Sequence, residues 1–384
     1  MEVLKVGVIG MGFTGQQHVE AIRRIPGAQV VAVSDLDAGA LADKAASLGI
    51  DRCFTRWSDM ITEMQPDIIH NCTPNTIHAS VNRFAIDKGI HVFCEKPLAT
   101  ELSDARQLVE LAKAAEVAVG VNFNYRSNAM VQEMRQHILN DEIGRVFCIH
   151  GHYLQDWLML DTDYNWRLEE AQDGKSRAIA DIGSHWFDLA QFITGKKIVK
   201  IFAKLLTVHK TRKKPKNKAE TFQDASGAQA GPVSIQSEDA AMILAELEGG
   251  LSANLMLSQV SGGFKNTLDI CVSGERYSMR WEQELPDRLT IGTRDGARTV
   301  FCSPQSIHRD IARYATLPAG HVTAWSDALR NNIGEFYVSV RDKSYRDGAQ
   351  TYSTFADAFY TMKIVEACME SNRLQAWVAV DPVC

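Results

Sequence analysis

Apolar residues keep one rhythm in the early part of this chain and another beyond it, and the change falls near residue 121. Up to that point, short apolar runs at 4–9, 29–33, 68–71, 91–94 and 118–121 read as strands, separated by stretches of helical spacing such as 103–115. Strands alternating with helices imply a parallel sheet covered on both faces, because joining parallel strands requires a crossover that a helix supplies. After a helix at 130–139 the segments lengthen and alternate: 145–155, 198–208, 240–247, 251–258, 267–273 and 277–281. Gly249-Gly250 between two of them marks a hairpin. Helices at 323–341 and 355–370 close the chain. The pattern therefore predicts an α/β domain over 1–122, a doubly wound parallel sheet, followed by an α+β domain over 123–384 built on a large, mainly antiparallel sheet. The last helices are free to pack back on the first domain.

The first turn of the chain adds chemistry. An apolar run leads directly into Gly10-Met11-Gly12-Phe13-Thr14-Gly15, the strand-to-helix context in which G-x-G-x-x-G binds a dinucleotide. In that reading Gly10 makes the turn, Gly12 admits the pyrophosphate, Gly15 lets helix and strand approach, and the helix start faces the phosphates. Asp35 ends the second apolar run, where a carboxylate holds the ribose hydroxyls and repels a 2′-phosphate. With Asp37 adding charge nearby, NAD is expected over NADP. The competing reading leaves ordinary turn glycines and makes Asp35 a helix cap.

Composition narrows the field. A chain of 384 residues suits two domains, and its 45% hydrophobic and 23% charged content is that of a soluble globular protein. Net charge −6 argues against a general nucleic-acid binder. No apolar stretch approaches the roughly 20 residues that cross a bilayer, and the first strand begins too early for a leader, so a cytoplasmic location is expected. The 8 cysteines show no C-x-x-C spacing, so neither a metal site nor a disulfide framework is expected. Residues 209–218 carry Lys210, Arg212, Lys213, Lys214, Lys216 and Lys218 ahead of a polar stretch at 225–231. That run reads as a solvated loop or hairpin arm, with a subunit contact or anion site as the other reading.

Two places could move a proton. Lys96, in Glu95-Lys96-Pro97, follows the strand at 91–94, and open α/β sheets bind ligands beyond such strand ends. Asp181 and His185 are four apart at the start of a helical pattern, so both can face one point, and a histidine beside a carboxylate suits general-base work. The bland alternatives are a surface lysine, a helix cap at Asp181 and a core histidine packed beside Trp186.

Taken together, the glycine turn, Asp35, Cys72-Thr73-Pro74-Asn75-x-x-His78, Glu95-Lys96-Pro97, Asn122-x-Asn124-Tyr125-Arg126 and Asp181-Ile-Gly-Ser-His185 resemble the glucose-fructose oxidoreductase/inositol dehydrogenase/MocA family along essentially the whole chain. The resemblance implies a Rossmann domain followed by a mixed-sheet domain, Lys96 and His185 as proton-handling residues, and Asp181 as the residue that positions the reacting hydroxyl. It also implies that Thr73, Pro74, Asn75, His78 and Glu95 form the wall around the nicotinamide ribose, that Cys72 and Asn124 are further cofactor-binding residues, and that Pro97 is cis. The stretches 163–167 and 317–321 are similar to the branch of levoglucosan dehydrogenase and related cyclic-sugar and cyclitol enzymes. By that likeness Trp166 offers a face to a sugar ring and Arg167 and His321 hydrogen-bond its hydroxyls. Tyr125, Gln155 and Asp156 are candidates for the same pocket. The expected function is NAD-dependent oxidation of a secondary hydroxyl of a cyclic sugar, anhydrosugar or inositol, without a metal, by a homo-dimer or homo-tetramer. The alternatives are glycoside cleavage through transient oxidation and a nucleotide-binding regulator that has lost catalysis.

Overall fold

Six parallel strands run in the order β3-β2-β1-β4-β5-β6 in the first unit. They are β1 (Leu4–Ile9), β2 (Ala28–Ser34), β3 (Cys53–Phe54), β4 (Ile68–Asn71), β5 (His91–Cys94) and β6 (Val119–Val121). The sheet is crossed by α1 (Phe13–Arg23), α2 (Ala38–Ser47), α3 (Trp57–Met64), α4 (His78–Asp87) and α5 (Leu102–Ala115). Strand β3 has two residues, too few to show a period, and was not expected from the sequence. Central strands read as continuous apolar runs because both faces are covered: Val6, Val8, Ile68, Ile69, Val92 and Phe93 have no exposed surface.

The computed structural model describes residues 3–169, 174–215, 229–348 and 350–381. Its first compact unit is Met1–Ser127 with Ser326–Phe359, and its second is Asn128–Trp325 with Tyr360–Cys384. Residues 123–127 and 326–359 thus group with the first unit; the sequence reading put the boundary at 122 and left the last helices free to pack back on the first domain.

The second unit opens with α6 (Ala129–Leu139) and is built on a nine-stranded sheet. Its strands are β7 (Val146–Leu154), β8 (Ile198–Leu206), β11 (Ala240–Leu247), β12 (Leu251–Ser258), β13 (Thr267–Gly274), β14 (Ser278–Glu282), β15 (Arg288–Thr293), β16 (Gly296–Phe301) and β17 (Val378–Ala379), in the order β16-β15-β14-β13-β7-β12-β11-β8-β17. Every pair is antiparallel except β7 with β12. Gly249 and Gly250, both at φ 77°, close the β11–β12 hairpin, a backbone region where glycine lacks the steric cost of a side chain. One face of the sheet carries α7 (Ser184–Thr194). Gly151 on β7 permits this approach, since a Cβ there would stand 2.7 Å from Trp186 Nε1, which donates to the Asp269 carbonyl at 3.0 Å. On the opposite face Met242, Leu244 and Met256 are each about half exposed.

The basic run corrects an expectation. Thr211–Pro215 and Gln229–Ser234 form an antiparallel arm, β9 and β10. Arg212 within it is fully buried, donating to the carbonyls of Leu158 (2.9 Å) and Leu160 (2.7 Å) and to Asp239 (2.8 Å). The arm is solvated at Lys213 and Lys214, which pair with Asp161 and Glu169, but its arginine is an internal bolt for the 157–163 loop. Lys216, Lys218 and residues 225–228 lie outside the described residues.

Candidate active site

In the first unit the nucleotide candidates all follow the carboxyl ends of sheet strands. Gly10 has φ 89°, and a Cβ on it would collide with the Cys72 carbonyl; a Cβ on Gly15 would collide with the Gly10 carbonyl. Packing within the chain therefore explains both. It does not explain Gly12, where a Cβ would meet nothing within 4 Å, so the space above Gly12 suits a close-approaching pyrophosphate. Gly12 also stands at the cap position of α1 with no side-chain cap, and Phe13 and Thr14 open a helix start of the kind that suits an anion. Asp35 is fixed to this turn: its Oδ2 accepts the Met11 N–H and its Oδ1 the Leu36 N–H, both at 2.7 Å. A carboxylate has about four lone-pair sites, so capacity remains for a ribose diol. Asp37 has a different task, capping α2 through Gly39 and Ala40. The residues present fit NAD.

The loops beside Lys96 are tied together by hydrogen bonds. Thr73 donates to Asn71 Oδ1 at 2.7 Å. His78 is fully buried and has Nδ1 2.6 Å from the Pro97 carbonyl and Nε2 2.9 Å from the Thr73 carbonyl. It thus clasps the loops after β4 and β5, and burial, against those two hydrogen bonds, lowers its pKa. Glu95 points inward: its Oε1 takes Asn122 Nδ2 at 2.7 Å and His18 Nε2 at 2.9 Å. Burial alone would raise its pKa, but His18, Asn122 and Lys96 outweigh burial and hold it down to about 2. From His18 the chain continues to His70 (2.7 Å) and Tyr337 (2.8 Å). Lys96 sits between this buried anchor and a cis peptide bond to Pro97. Asn75 and Asn124 are buried, Asn124 Nδ2 with no hydrogen-bond partner among the described residues, and Cys72 and Tyr125 are buried as well. Burial, with Glu95 and Cys94 adding to it, pushes the Cys72 thiol well up, so it is no nucleophile.

In the second unit Asp181 lies in a π-helical turn, Ile179–Gly183, that runs into α7. It is inside the helical run, its N–H donating to the Arg177 carbonyl at 2.7 Å, and so is not a helix cap. Such wide turns occur mostly as single bulges within α-helices, frequently at functional sites. Glu238 builds the turn's start by accepting from Ser176 (2.8 Å), Arg177 N (3.0 Å) and Ile179 N (2.9 Å). The Asp181 carboxylate is set by two neighbours. Gln259 Nε2 donates to Oδ2 at 2.8 Å, and Arg167 Nε stands 3.5 Å from Oδ1. Gln259 cannot present its oxygen instead, because Oε1 accepts Arg177 Nη1 at 2.7 Å. Arg177 is in turn ion-paired to Asp239, which also holds Arg212. His185 follows one turn on, buried at 8% exposure, with its ring centroid 6.4 Å from that of Tyr153.

The remaining candidates divide. Arg167 stacks over Trp166 at 4.5 Å and reaches Asp181, so these three come together. Gln155 donates to Asn266 at 3.1 Å and accepts from Trp157 at 2.8 Å. Asp156 pairs with Lys265 at 2.6 Å and accepts from Gly263 N at 3.1 Å. His321 is exposed in a turn closed by its own N–H on the Pro318 carbonyl.

Comparison with known proteins fits both halves. A family model for an oxidoreductase family with an NAD-binding Rossmann fold matches residues 4–123, and the model of that family's C-terminal domain matches residues 131–280. The chain belongs to the GFO/IDH/MocA oxidoreductase family. Levoglucosan dehydrogenase of Pseudarthrobacter phenanthrenivorans is 27% identical, covering 100% of both chains. D-Apiose dehydrogenase of Paraburkholderia graminis is 27% identical over 88% of this chain and 83% of its own length. The crystal structure of an oxidoreductase domain protein from Kribbella flavida superposes with a TM-score of 0.88 at 26% identity, covering 100% of each. In this GFO/IDH/MocA chain the positioning residues Gln259, Arg177, Glu238 and Asp239 were not found from sequence. Their only trace there is Ser237-Glu238-Asp239 at the mouth of an otherwise apolar strand.

Proposed function

We propose that this chain is an NAD-dependent dehydrogenase that oxidises a secondary hydroxyl of a cyclic sugar, anhydrosugar or inositol to the ketone. The observation that carries the reading is the shared sheet edge in the first unit: the open approach over Gly12 and the proton-handling amine of Lys96 both follow parallel strands of one sheet. A dinucleotide site there without such an amine would bind but not react. The relatives named for levoglucosan and D-apiose point to a cyclic sugar.

When bound, NAD supplies the hydride acceptor at C4 of its nicotinamide. The protein's part is the proton. Lys96 or His185 takes the hydroxyl proton as the C–H hydride leaves, giving ketone, NADH and one proton, while Asp181 orients the hydroxyl. The structural support for Asp181 in that role is its fixed rotamer between Gln259 and Arg167. Arg167 covers one face of Trp166, so a sugar ring stacks on the other face or on the guanidinium edge. The proposal includes His321 as a hydroxyl ligand, a cytoplasmic enzyme and a homo-dimer or homo-tetramer. No disulfide joins the seven described cysteines, as a reducing compartment would have it. The half-exposed Met242, Leu244 and Met256 give a second copy an apolar sheet face to cover.

The test is a screen of sugars, polyols and glycosides with purified enzyme, following NADH and product together. Ketone formed in step with NADH is expected. Glycoside cleavage without net NADH would overturn the reading in favour of transient oxidation, and no turnover with any cyclic polyol would overturn it altogether. Light scattering giving a monomer would remove the oligomer.

A further inference from the structure

Helix α6 carries Glu133 and His137 one turn apart, both buried. At its end Asp141 adopts φ 55° and turns the chain back, so that Glu142 N donates to the His137 carbonyl at 2.9 Å. His308, which caps a 3-10 turn at Arg309–Tyr314, completes a ring of four side chains. Glu142 lies outside both imidazoles: Oε2 is 2.6 Å from His137 Nδ1 and Oε1 is 2.7 Å from His308 Nε2. Glu133 faces the other two ring nitrogens, with Oε2 2.9 Å from His308 Nδ1 and Oε1 3.4 Å from His137 Nε2. Tyr277 OH adds a contact to His137 Nδ1 at 2.9 Å.

A neutral imidazole has one N–H. If Glu142 takes those of both histidines at its shorter distances, His137 Nε2, His308 Nδ1 and the Glu133 carboxylate become three acceptors converging within 4.8 Å. Three lone-pair donors converge only around positive charge. We propose that this cluster is a binding site for a divalent transition-metal ion of the Zn2+ class, with Glu133, His137 and His308 as ligands. Ligands about 2.0–2.1 Å from zinc stand roughly 3.3 Å apart in a tetrahedron, so the three ligand atoms, which lie within 4.8 Å of one another, have only to draw together around an ion. Two neutral imidazoles and one carboxylate suit such an ion, water filling the remaining positions. Glu142 then has the part that carboxylates play behind metal-bound histidines, fixing ring and tautomer. Side-chain exposure of 24% at His308 and 36% at Glu142 leaves an entry path.

The site is separate from the catalytic candidates. Glu142 precedes the start of β7, while Gln259, the Asp181 partner, follows the end of β12, whose Ser258 pairs with Leu154 at the far end of β7. A nine-residue strand, about 3.3 Å per residue, separates them. Its task is therefore to clasp the end of α6 to the 308 turn, not to activate substrate.

The test uses tag-free full-length enzyme stripped with chelator and dialysed, titrated calorimetrically with Zn2+ and optically with Co2+. Saturable uptake of about one ion per chain is expected, with a Co2+ spectrum lacking thiolate charge-transfer bands and a rise in thermal midpoint. Glu133→Gln and His308→Gln should abolish both uptake and the thermal shift. Glu142→Gln, which keeps all three ligands, should weaken binding about 10–100-fold. No saturable uptake by the wild type would overturn the proposal and leave a hydrogen-bonded ring of two histidines and two glutamates. Undiminished uptake in Glu142→Gln together with either ligand variant, or a thiolate spectrum, would overturn it in favour of other donors such as the exposed Cys53.

Discussion

The nucleotide half and the Asp181 half of this enzyme are engineered by opposite means. Around Gly10, Gly12, Gly15 and Asp35, the geometry is local: the glycines lie in one strand-to-helix turn, where Gly15 packs on the Gly10 carbonyl and Gly10 on the Cys72 carbonyl after the neighbouring strand, and Asp35 binds that turn through the Met11 N–H. Around Asp181 it is remote. Gln259, 78 residues on, holds the carboxylate, and the Arg177 that orients Gln259 draws on Asp239 and so on the β9–β10 arm through Arg212. A local site tolerates change elsewhere. A site assembled through buried charges is exposed to the loss of any one member, because the remaining charge keeps its desolvation cost without its partner.

Arg177→Met breaks that comparison most severely if it is wrong. Removing one cation from the buried set should destabilise the protein by about 3–5 kcal/mol in urea unfolding. Protein that remains folded should still bind NAD, because the glycine turn owes nothing to Arg177. A loss below about 1 kcal/mol would mean that Arg212 alone satisfies Asp239 and that Asp181 is held locally after all.

The nucleotide half contains a buried long-range charge of its own, and it titrates. Glu95 has its pKa held near 2 in the folded protein against an ordinary value of 4.5. A depressed carboxylate contributes stability above its unfolded value and loses it as pH falls through the folded one, so the window runs from about 4.5 down to about 2. A shift of that size corresponds to about 3 kcal/mol. Unfolding free energies measured across this window should fall by about that much more in wild type than in Glu95→Gln. Parallel pH profiles would show that His18 and Asn122 do not discriminate the ionised form.

Across the two halves, Lys96→Ala and His185→Ala should each lower turnover about 100-fold or more with little change in NAD binding, a barrier increase of about 2.7 kcal/mol. Asp181→Asn should slow turnover and shift its pH profile. Near-normal turnover in His185→Ala would return that residue to the role of a buried neighbour of Trp186.

The same contrast decides what could be read from sequence. Strands β4, β5, β11 and β12 were placed to the residue, and the cofactor turn was recognised, because both depend on spacing within one segment. The π-helical turn was taken for the start of an α-helix, since i and i+4 spacing is compatible with either. Hairpin β15–β16 was missed although Asp295-Gly296 marks its turn and Leu289 and Ile291 alternate inward. Arg212 was read as solvated because five other cations surround it in sequence; only the fold reveals that its partners are carbonyls from 158 to 163 and a carboxylate at 239. Gln259 carries no signature at all.

Gly12→Ala isolates the ligand's share of the local half. Its Cβ would meet no protein atom within 4 Å, so stability should change by less than about 1 kcal/mol, the range of cap substitutions. NAD affinity should fall about tenfold or more as the pyrophosphate is pushed off the helix start. Gly15→Ala should do the reverse damage, destabilising the fold through its clash with the Gly10 carbonyl. Equal stability losses in the two would mean that Gly12, too, is a packing glycine.

The smallest expected effect is at Asp35, which has two tasks that different substitutions separate. Its charge repels a 2′-phosphate, while its Oδ2 holds the Met11 N–H and with it the glycine turn. Asp35→Asn removes the charge but keeps an acceptor for that N–H; Asp35→Ser removes the charge and shortens the side chain beyond reach. Both should narrow the NAD over NADP preference, by about tenfold for a contribution near 1.4 kcal/mol. Only Asp35→Ser should also raise the KM for NAD, because only there is the turn released. Steady-state kinetics with both cofactors distinguishes the cases: an unchanged NADP preference in both variants removes Asp35 from cofactor choice, and a KM for NAD raised equally in both shows that charge, not the Met11 hydrogen bond, shapes the turn.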